Sequence, residues 1–167
     1  KNELASIYSE PELENIASWL LEHFAQIKKP QLMQQPDLHV NQSTIIHFSN
    51  AVDELKKGIP VQYVIGMVDF YHLKLKVNAS VLIPRPETEE LTDIIVRENK
   101  DREGIKILDI GTGSGCIGIS LAKNLKGSMV TAIDISNDAL LVATENANKN
   151  HATNIEFLEV NILQENY

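Results

Sequence analysis

The sequence predicts an α/β protein in which a small all-helical domain and a β-hairpin precede part of a parallel sheet. Two observations predict this class. Apolar residues recur at helical spacing up to about residue 58, and from Ile105 onward the pattern alternates between strand and helix. Such alternation is typical of a parallel sheet with right-handed crossovers. We therefore predict a helical domain at 1–60, a hairpin linker at 61–83 and an α/β part at 84–167.

The first predicted helix starts after Ser9. Pro11 follows closely, and proline is well tolerated in the first turn of a helix. Trp19 lies beside the apolar face, and we interpret it as a core residue. The apolar face itself comprises Leu13, Ile16, Ala17, Leu20 and Phe24.

A second helix is predicted to begin at Ser43, whose side chain is expected to cap it. Gly58 and Pro60 end this helix, because glycine favours helix ends and proline cannot continue a helix. Between the two helices, Pro30 and Pro36 indicate loop or short turns. The apolar residues of the second helix are Ile45, Ile46, Phe48, Val52 and Leu55.

The period of the pattern changes after residue 60. Apolar residues alternate at Val61, Tyr63 and Ile65, and they alternate strictly over 73–77, as in a half-exposed strand. We interpret 61–83 as a β-hairpin that links the two domains.

An extended segment and a helix follow the hairpin. Pro86 disfavours helical backbone at Arg85, so the next helix is predicted from about Pro86. Arg85, Glu87 and Thr88 form a polar cluster that has two interpretations. They are either a strap over a ligand pocket or ordinary first-turn residues, with the glutamate favoured by the helix dipole. The residues expected to face inward are Leu91, Ile94 and Ile95.

The α/β part is predicted to contain three strands and two helices. The strands are expected at 105–110, 130–135 and 155–160, and the helices at 116–125 and 138–150. In open parallel sheets, ligands bind beyond the carboxyl ends of the strands.

The loop after the first of these strands is the most informative segment of the chain. Glycine permits positive φ and lets the backbone approach a ligand, and the helix that follows offers unpaired N–H groups and a positive dipole end. The acid at the strand end and the loop residues that we assign to ligand binding are Asp109, Gly111, Thr112, Gly113, Ser114 and Gly115.

Two cofactors fit this loop. Residues 113–118 match G-x-G-x-x-G, and Asp134 lies 19 residues beyond Gly115, which is typical of dinucleotide sites. Residues 109–115 match D-x-G-x-G-x-G, a pattern of S-adenosylmethionine sites. A carboxylate at the strand end suits a ligand with an amino group and a sulfonium and repels a pyrophosphate, so we favour S-adenosylmethionine. A glycine-rich turn without a ligand is the third interpretation.

The ends of the next two strands supply further candidates. Asp134 is expected to accept hydrogen bonds from both ribose hydroxyls, with helix capping as the alternative. Asn161 is expected to meet the adenine amino group, and Ile162 and Leu163 to pack on the adenine face. A simple turn is the alternative for these three residues.

Composition excludes several classes of function. The net charge of −8 argues against broad binding of nucleic acid phosphates, and no apolar run approaches the about 18 residues that a membrane span needs. The single cysteine, Cys116, is interpreted as a small apolar residue rather than a nucleophile, and the lack of a disulfide partner suggests the cytoplasm. The histidines show no metal-ligand spacing, so we expect no metal site.

Several segments together resemble the release factor glutamine methyltransferase (PrmC/HemK) family. The resemblance covers roughly residues 5–165, and the block Pro-Arg-Pro-Glu-Thr-Glu at 84–89 is its most specific part. The other matching segments are 58–63, 65–66, 70–71, 81–91, 109–117 and Asp134.

This resemblance implies a Rossmann-like class I S-adenosylmethionine-dependent methyltransferase domain, present here in part, after a helical domain that recognises the substrate. The implied reaction moves a methyl group from S-adenosylmethionine to the side-chain amide nitrogen of glutamine in the Gly-Gly-Gln motif of class 1 peptide chain release factors. The implied protein is cytoplasmic, binds no membrane, makes no direct contact with nucleic acid and is a monomer when full length.

The chain departs from the family pattern at three places. His72 replaces the usual glycine, Asn161 replaces the usual aspartate, and the chain ends at Tyr167 before the Asn-Pro-Pro-Tyr motif that holds the substrate glutamine. We therefore expect no catalytic residue in this part and no activity of the 167 residues alone. The alternatives are another protein glutamine such as one in a ribosomal protein, DNA adenine, a non-catalytic module that binds release factors, and a nicotinamide enzyme.

Overall fold

A computed structural model describes residues 3–34 and 39–164 of the chain. Its contacts divide the chain into two compact units, Lys1–Ile65 and Gly66–Tyr167. The predicted boundaries after residues 60 and 83 remain predictions. No helix within the described ranges is long and apolar enough to cross a bilayer.

The first unit is helical. Its elements are α1 (Glu10–Leu20), a π-helical turn (Leu21–Ala25), α2 (Lys29–Gln34), α3 (Gln42–Lys56) and α4 (Val61–Ile65). The core between them comprises Leu4, Leu13, Ile16, Leu20, Ala51, Leu55 and Val61. The apolar period that predicted the first helix therefore identified three of the buried positions correctly.

Two predictions about helix ends have different outcomes. Ser9 begins α1 as predicted, and the Glu12 carboxylate accepts hydrogen bonds from both the amide and the hydroxyl of Ser9, at 2.8 and 2.6 Å. The prediction that Ser43 caps α3 is wrong. Asn41 is the cap, and its Oδ1 accepts from the Thr44 amide at 2.8 Å, because a side-chain oxygen must precede the first free amides by two or three residues.

The interpretation of Trp19 as a core residue is also wrong, since its side chain is 45% exposed. Successive residues are rotated by about 100° around a helix axis, so Trp19 points away from the face that buries its neighbour Leu20. Pro30 lies inside the short helix α2 rather than in a loop, and Pro36 lies outside the described residues.

The alternation at Val61, Tyr63 and Ile65 gave a wrong prediction of a strand. These residues form α4, because the Pro60 carbonyl accepts from the amides of Tyr63 and Val64, at 2.9 and 3.1 Å, and starts a helical turn. Proline is compatible with such a start because its fixed φ suits the helix and its missing N–H is not needed there.

The second unit begins with the hairpin of β1 (Met67–Phe70) and β2 (Leu73–Lys76), paired antiparallel. Because Phe70 pairs with Leu73, only Tyr71 and His72 form the turn, and both have positive φ, 43° and 65°. The predicted hairpin is thus present, over a shorter range than 61–83.

The predicted helix after the hairpin is α5 (Pro86–Asn99), which begins at the expected residue. The prediction that Leu91 and Ile94 face inward is wrong, since they are 50% and 45% exposed, whereas Ile95 is half-buried. Thr92 is fully buried, so the buried face of α5 is centred on Thr92 rather than on its neighbour Leu91. The Thr92 hydroxyl is satisfied within the helix by the Thr88 carbonyl, at 2.8 Å.

The α/β part agrees with its predicted bounds to within one residue at every end. It comprises β3 (Lys106–Ile110), α6 (Cys116–Asn124), β4 (Met129–Asp134), α7 (Asn137–Lys149) and β5 (Ile155–Glu159). The three strands are parallel in the order β3-β4-β5, and α6 contacts all of them. The buried core of the second unit comprises Phe70, Leu73, Leu75, Ile119, Ala122, Val130, Ala147 and Ala152.

Candidate cofactor site

The glycine loop joins the carboxyl end of β3 to the start of α6 and is fastened to the neighbouring strand. The amides of Gly111 and Thr112 both donate to the Ile133 carbonyl in β4, at 2.8 and 3.0 Å. The Gly115 amide then turns back to the Thr112 carbonyl at 2.8 Å. The loop is therefore held in one conformation by backbone bonds at the carboxyl edge of the sheet.

Asp109 braces this loop from inside. Its Oδ2 atom accepts from the Thr112 hydroxyl at 2.8 Å and from the Gly118 amide at 3.0 Å. The carboxylate thus lies at the first turn of α6, where the helix dipole favours negative charge. In a dinucleotide site the pyrophosphate takes that position, so the G-x-G-x-x-G match at 113–118 does not form a phosphate cradle here.

Asp134 lies at the carboxyl end of β4 and also contacts the loop. One carboxylate oxygen accepts from the Gly113 amide at 2.9 Å, and the other accepts from the Ser136 amide at 3.0 Å. Each oxygen can accept a further hydrogen bond. The alternative that Asp134 caps α7 is wrong, because Ser136 is the cap and its hydroxyl accepts from the Ala139 amide at 3.2 Å.

The three alternating glycines serve different purposes. All have positive φ, at 72°, 53° and 80° for Gly111, Gly113 and Gly115. A Cβ built on Gly111 or Gly113 meets nothing within 4 Å, so the loop is open on that side. A Cβ on Gly115 would lie 2.7 Å from Cδ1 of Ile119 and 3.2 Å from Cβ of Ala143, so close packing adds to the positive φ in favouring glycine there.

The two hydroxyl residues of the loop point inward. Thr112 is 5% exposed and Ser114 is 2% exposed. The Thr112 hydroxyl supports the loop through its bond to Asp109, at 2.8 Å. Sequence patterns do not reveal this orientation, because a serine or threonine hydroxyl can bond to a ligand or within its own loop.

Beyond β5, Asn161 begins a turn, and whether it also contacts adenine stays a prediction. Its Oδ1 accepts from the Leu163 amide at 3.0 Å.

Two apolar side chains near the carboxyl edge of the sheet are exposed. Ile162 is 49% exposed, and Ile135, which directly follows Asp134, is 64% exposed. Sequence reasoning missed Ile135. The signal was an apolar residue immediately after a strand-end acid, at the edge of the sheet where ligands bind.

The polar cluster at the start of α5 makes few contacts. Arg85 and Glu87 are exposed, Thr88 is half-buried, and the Thr88 amide donates to the Arg85 carbonyl at 3.0 Å. Within residues 3–34 and 39–164, no hydrogen bond or ion pair joins these three residues to the glycine loop. The strap over the pocket remains a prediction.

Glu89, two residues further on, has a contact that the sequence did not indicate. Its Oε1 accepts from the Tyr71 amide in the hairpin turn at 2.8 Å, and the Tyr71 hydroxyl donates to Asp93 at 3.2 Å. Burial raises the pKa of the Tyr71 phenol, and the bond to Asp93 acts in the same direction. The acidic block thus anchors the hairpin turn to α5.

Cys116 begins α6 and packs against the core of the second unit. Burial raises the pKa of its thiol. A nucleophilic cysteine needs a lowered pKa, so the structure agrees with the interpretation of Cys116 as a small apolar residue. Among the described residues, no group of three histidine, cysteine or acidic side chains is placed to hold a metal ion.

Comparison with known proteins assigns the two ends of the chain separately. Residues 1–66 match the family model of the PrmC N-terminal domain, and residues 101–167 match a methyltransferase domain model. A release factor glutamine methyltransferase of Flavobacterium psychrophilum is 46% identical over 164 residues, which is 96% of this chain and 57% of the relative. The chain belongs to the release factor glutamine methyltransferase family. The resemblance carried by the Pro-Arg-Pro-Glu-Thr-Glu block is thereby confirmed.

Other family members agree. The release factor glutamine methyltransferase of Bacillus subtilis is 36% identical over 155 residues, covering 90% of this chain and 54% of the relative. The chain therefore spans about half the length of the family members that it matches. Among solved structures, a SAM-dependent methyltransferase from Aquifex aeolicus is 31% identical over 46% of this chain and 43% of its own, with a TM-score of 0.40.

Proposed function

We propose that the whole protein transfers a methyl group from S-adenosylmethionine to the side-chain amide nitrogen of the glutamine in the Gly-Gly-Gln motif of class 1 peptide chain release factors. The observation that carries this proposal is the 46% identity to a release factor glutamine methyltransferase over 96% of the chain. The geometry of the glycine loop supports the cofactor part of the proposal independently.

The residues at the carboxyl edge of the sheet fit S-adenosylmethionine. Asp134 has acceptor capacity left on both carboxylate oxygens, which suits the two hydroxyls of a ribose. Ile135 and Ile162 offer exposed apolar surface for an adenine ring. Gly111 and Gly113 leave the loop open to close approach. Asn161 and the three-residue strap, at Arg85, Glu87 and Thr88, stay in the proposal as further cofactor contacts.

The charge of the site suits the same cofactor. When bound, S-adenosylmethionine supplies an electrophilic methyl group on a positively charged sulfur. Asp109 and Asp134 place two carboxylates around the glycine loop, and opposite charges attract strongly where water is partly excluded. Asp109, at the first turn of α6, also repels the pyrophosphate of a nicotinamide dinucleotide.

The partner and the setting follow from the proposed substrate. We assign recognition of the release factor to the helical domain at 1–60, and we place the protein in the cytoplasm, where release factors act. A monomeric enzyme without direct contact to nucleic acid completes the proposal. The relatives favour this substrate over another protein glutamine, since both compared proteins are named for release factors.

The cofactor part is tested on this chain by calorimetry. S-adenosylhomocysteine and NAD are titrated separately into the purified protein. We expect saturable binding of S-adenosylhomocysteine and no heat from NAD. Binding of NAD alone, or of neither compound, contradicts the proposed cofactor.

The substrate part requires the full-length protein. It is incubated with S-adenosylmethionine and a class 1 release factor, and the peptide containing Gly-Gly-Gln is analysed by mass spectrometry. We expect one methyl group on the glutamine and none on a release factor whose glutamine is replaced by glutamate. Methylation at another residue, or of a ribosomal protein in preference, contradicts the proposed substrate.

A further inference from the structure

Asn146 on α7 is a fully buried amide whose side chain bonds entirely to backbone outside its own helix. Its relative exposure is 0%. The Nδ2 group donates to the Lys76 carbonyl and to the Ser114 carbonyl, both at 2.9 Å, and Oδ1 accepts from the Lys76 amide at 2.6 Å. Both amide protons and the side-chain carbonyl are therefore satisfied, as a buried amide requires.

The two segments that Asn146 joins are far apart in sequence. Lys76 ends β2 of the hairpin, and Asn146 pairs with it through an N–H and a C=O, as a neighbouring strand would. Ser114 lies in the glycine loop. One side chain thus connects the hairpin to the loop that we propose holds the cofactor.

The bond to Ser114 acts on the peptide unit that closes the loop. Ser114 stands between Gly113 and Gly115, which have φ of 53° and 80°. The peptide unit after Ser114 also carries the Gly115 amide, which donates to the Thr112 carbonyl at 2.8 Å. The Asn146 side chain holds the carbonyl of that peptide toward α7, so the peptide is restrained at its carbonyl as well as at its amide.

We propose that Asn146 is a positioning residue for the cofactor. It fixes the peptide after Ser114 so that the loop keeps the conformation in which Gly113 donates to Asp134 and its open side faces the ligand. The inference rests on the proposed function, since it assigns Asn146 to the same cofactor site. Asn146 touches the loop and makes no contact with the ligand itself.

The chain offers a matched control one helical turn further along. The Nδ2 group of Asn150 donates to the Lys74 carbonyl at 3.0 Å and to the Asn146 carbonyl at 2.9 Å. Asn150 therefore fastens α7 to the same hairpin strand and makes no bond to the glycine loop. A comparison of the two positions separates anchoring of the hairpin from positioning of the loop.

The test compares Asn146→Leu with Asn150→Leu in the purified chain. Affinity for S-adenosylhomocysteine is measured by calorimetry, and the melting temperature is measured on the same samples. We expect both variants to melt earlier than the parent chain. Asn146→Leu is expected to weaken binding about tenfold or more, because the loop loses a buried hydrogen bond, whereas Asn150→Leu stays within about twofold. Equal affinities of the two variants overturn the inference.

Asn146→Ser replaces the leucine variant if circular dichroism shows that the latter is unfolded, with the same expected difference from Asn150→Leu. Hydrogen exchange of residues 111–116 is measured on the ligand-free proteins as a second readout. We expect faster exchange of this segment in the Asn146 variant than in Asn150→Leu. If the parent chain binds no S-adenosylhomocysteine, the proposed cofactor fails, and the exchange rates still decide whether Asn146 positions the loop. Equal exchange in both variants overturns that role.

Discussion

At the scale of single residues, Asp134 is the side chain at which the proposed cofactor site is tested most directly. Asp134→Asn keeps the size but removes the charge and one of the two acceptor oxygens, so either the Gly113 or the Ser136 amide loses its acceptor. Hydrogen bonds to a charged group contribute about 1.5–3 kcal/mol. We expect the variant to bind S-adenosylhomocysteine roughly tenfold to a hundredfold more weakly in calorimetry.

Asp138→Asn is the matched control for this prediction. Asp138 carries the same charge in the first turn of α7 and is exposed. Its substitution is expected to leave the affinity within about twofold, since a single exposed charge is largely screened by salt. Comparable losses in both variants contradict the role assigned to Asp134, because they reflect net charge rather than a specific acceptor.

Residue patterns revealed some of the contacts in and around the candidate site, and they concealed others for a physical reason. Asp109 and Asp134 were predictable, because a carboxylate at the end of a buried strand stands out locally. Glu89 and Asn146 were not, because their partners Tyr71 and Lys76 are 18 and 70 residues away. A sequence shows which residues can form hydrogen bonds, whereas only the packed chain shows where the partner is.

At the scale of elements, the hairpin turn is a strained part of the second unit. Tyr71 and His72 both have positive φ, although neither is glycine. The left-handed region is unfavourable for a residue with a Cβ by roughly 1–2 kcal/mol. His72→Gly is therefore expected to raise the free energy of unfolding by about 1 kcal/mol, since the exposed imidazole contributes little packing. Denaturant unfolding monitored by circular dichroism measures the change.

Gly66→Ala, in the same unit, is expected to change the free energy of unfolding in the opposite direction. Gly66 has φ of 75°, and a Cβ there meets nothing within 4 Å, so only the backbone conformation is made worse. We expect this variant to lower the free energy of unfolding by about 1 kcal/mol. If His72→Gly destabilises the protein as well, the turn is not under the strain that its φ values indicate.

The prediction of an element was correct where the pattern of apolar residues was long, and it was wrong where that pattern was short. The bounds of β3 to β5, α6 and α7 follow from a regular alternation between apolar runs and amphipathic segments, and the structure confirms them to within one residue. Val61–Ile65 is only five residues long, and three alternating apolar side chains fit one helical turn as well as a strand. The Pro60 carbonyl, rather than the side-chain pattern, decided the outcome.

At the scale of the whole molecule, the chain has two separate apolar cores. They explain why the change in the spacing of apolar residues near residue 60 predicted a boundary. Val61 belongs to the core of the first unit, and Phe70, Leu73 and Leu75 belong to that of the second. A helical pattern and an alternating pattern bury different faces, so the change marks a change of core. The exact residue of the change was less predictable, because α4 is too short to show a period.

The net charge of the chain favours a protein acceptor over a nucleic acid acceptor. The chain carries a net charge of −8, and a protein that binds duplex DNA by neutralising phosphates needs a surplus of basic side chains. We expect no saturable binding of a fluorescent DNA duplex of about 20 base pairs, long enough for two helical turns, at about 150 mM salt. Binding is measured by fluorescence anisotropy, with a basic DNA-binding protein as the positive control. Lowering the salt should not restore binding, because repulsion between like charges then becomes stronger. Saturable binding whose affinity falls steeply as salt rises would contradict this prediction and revive DNA adenine as the acceptor. A protein acceptor escapes this repulsion, since its surface charge is not fixed at one negative unit per phosphate.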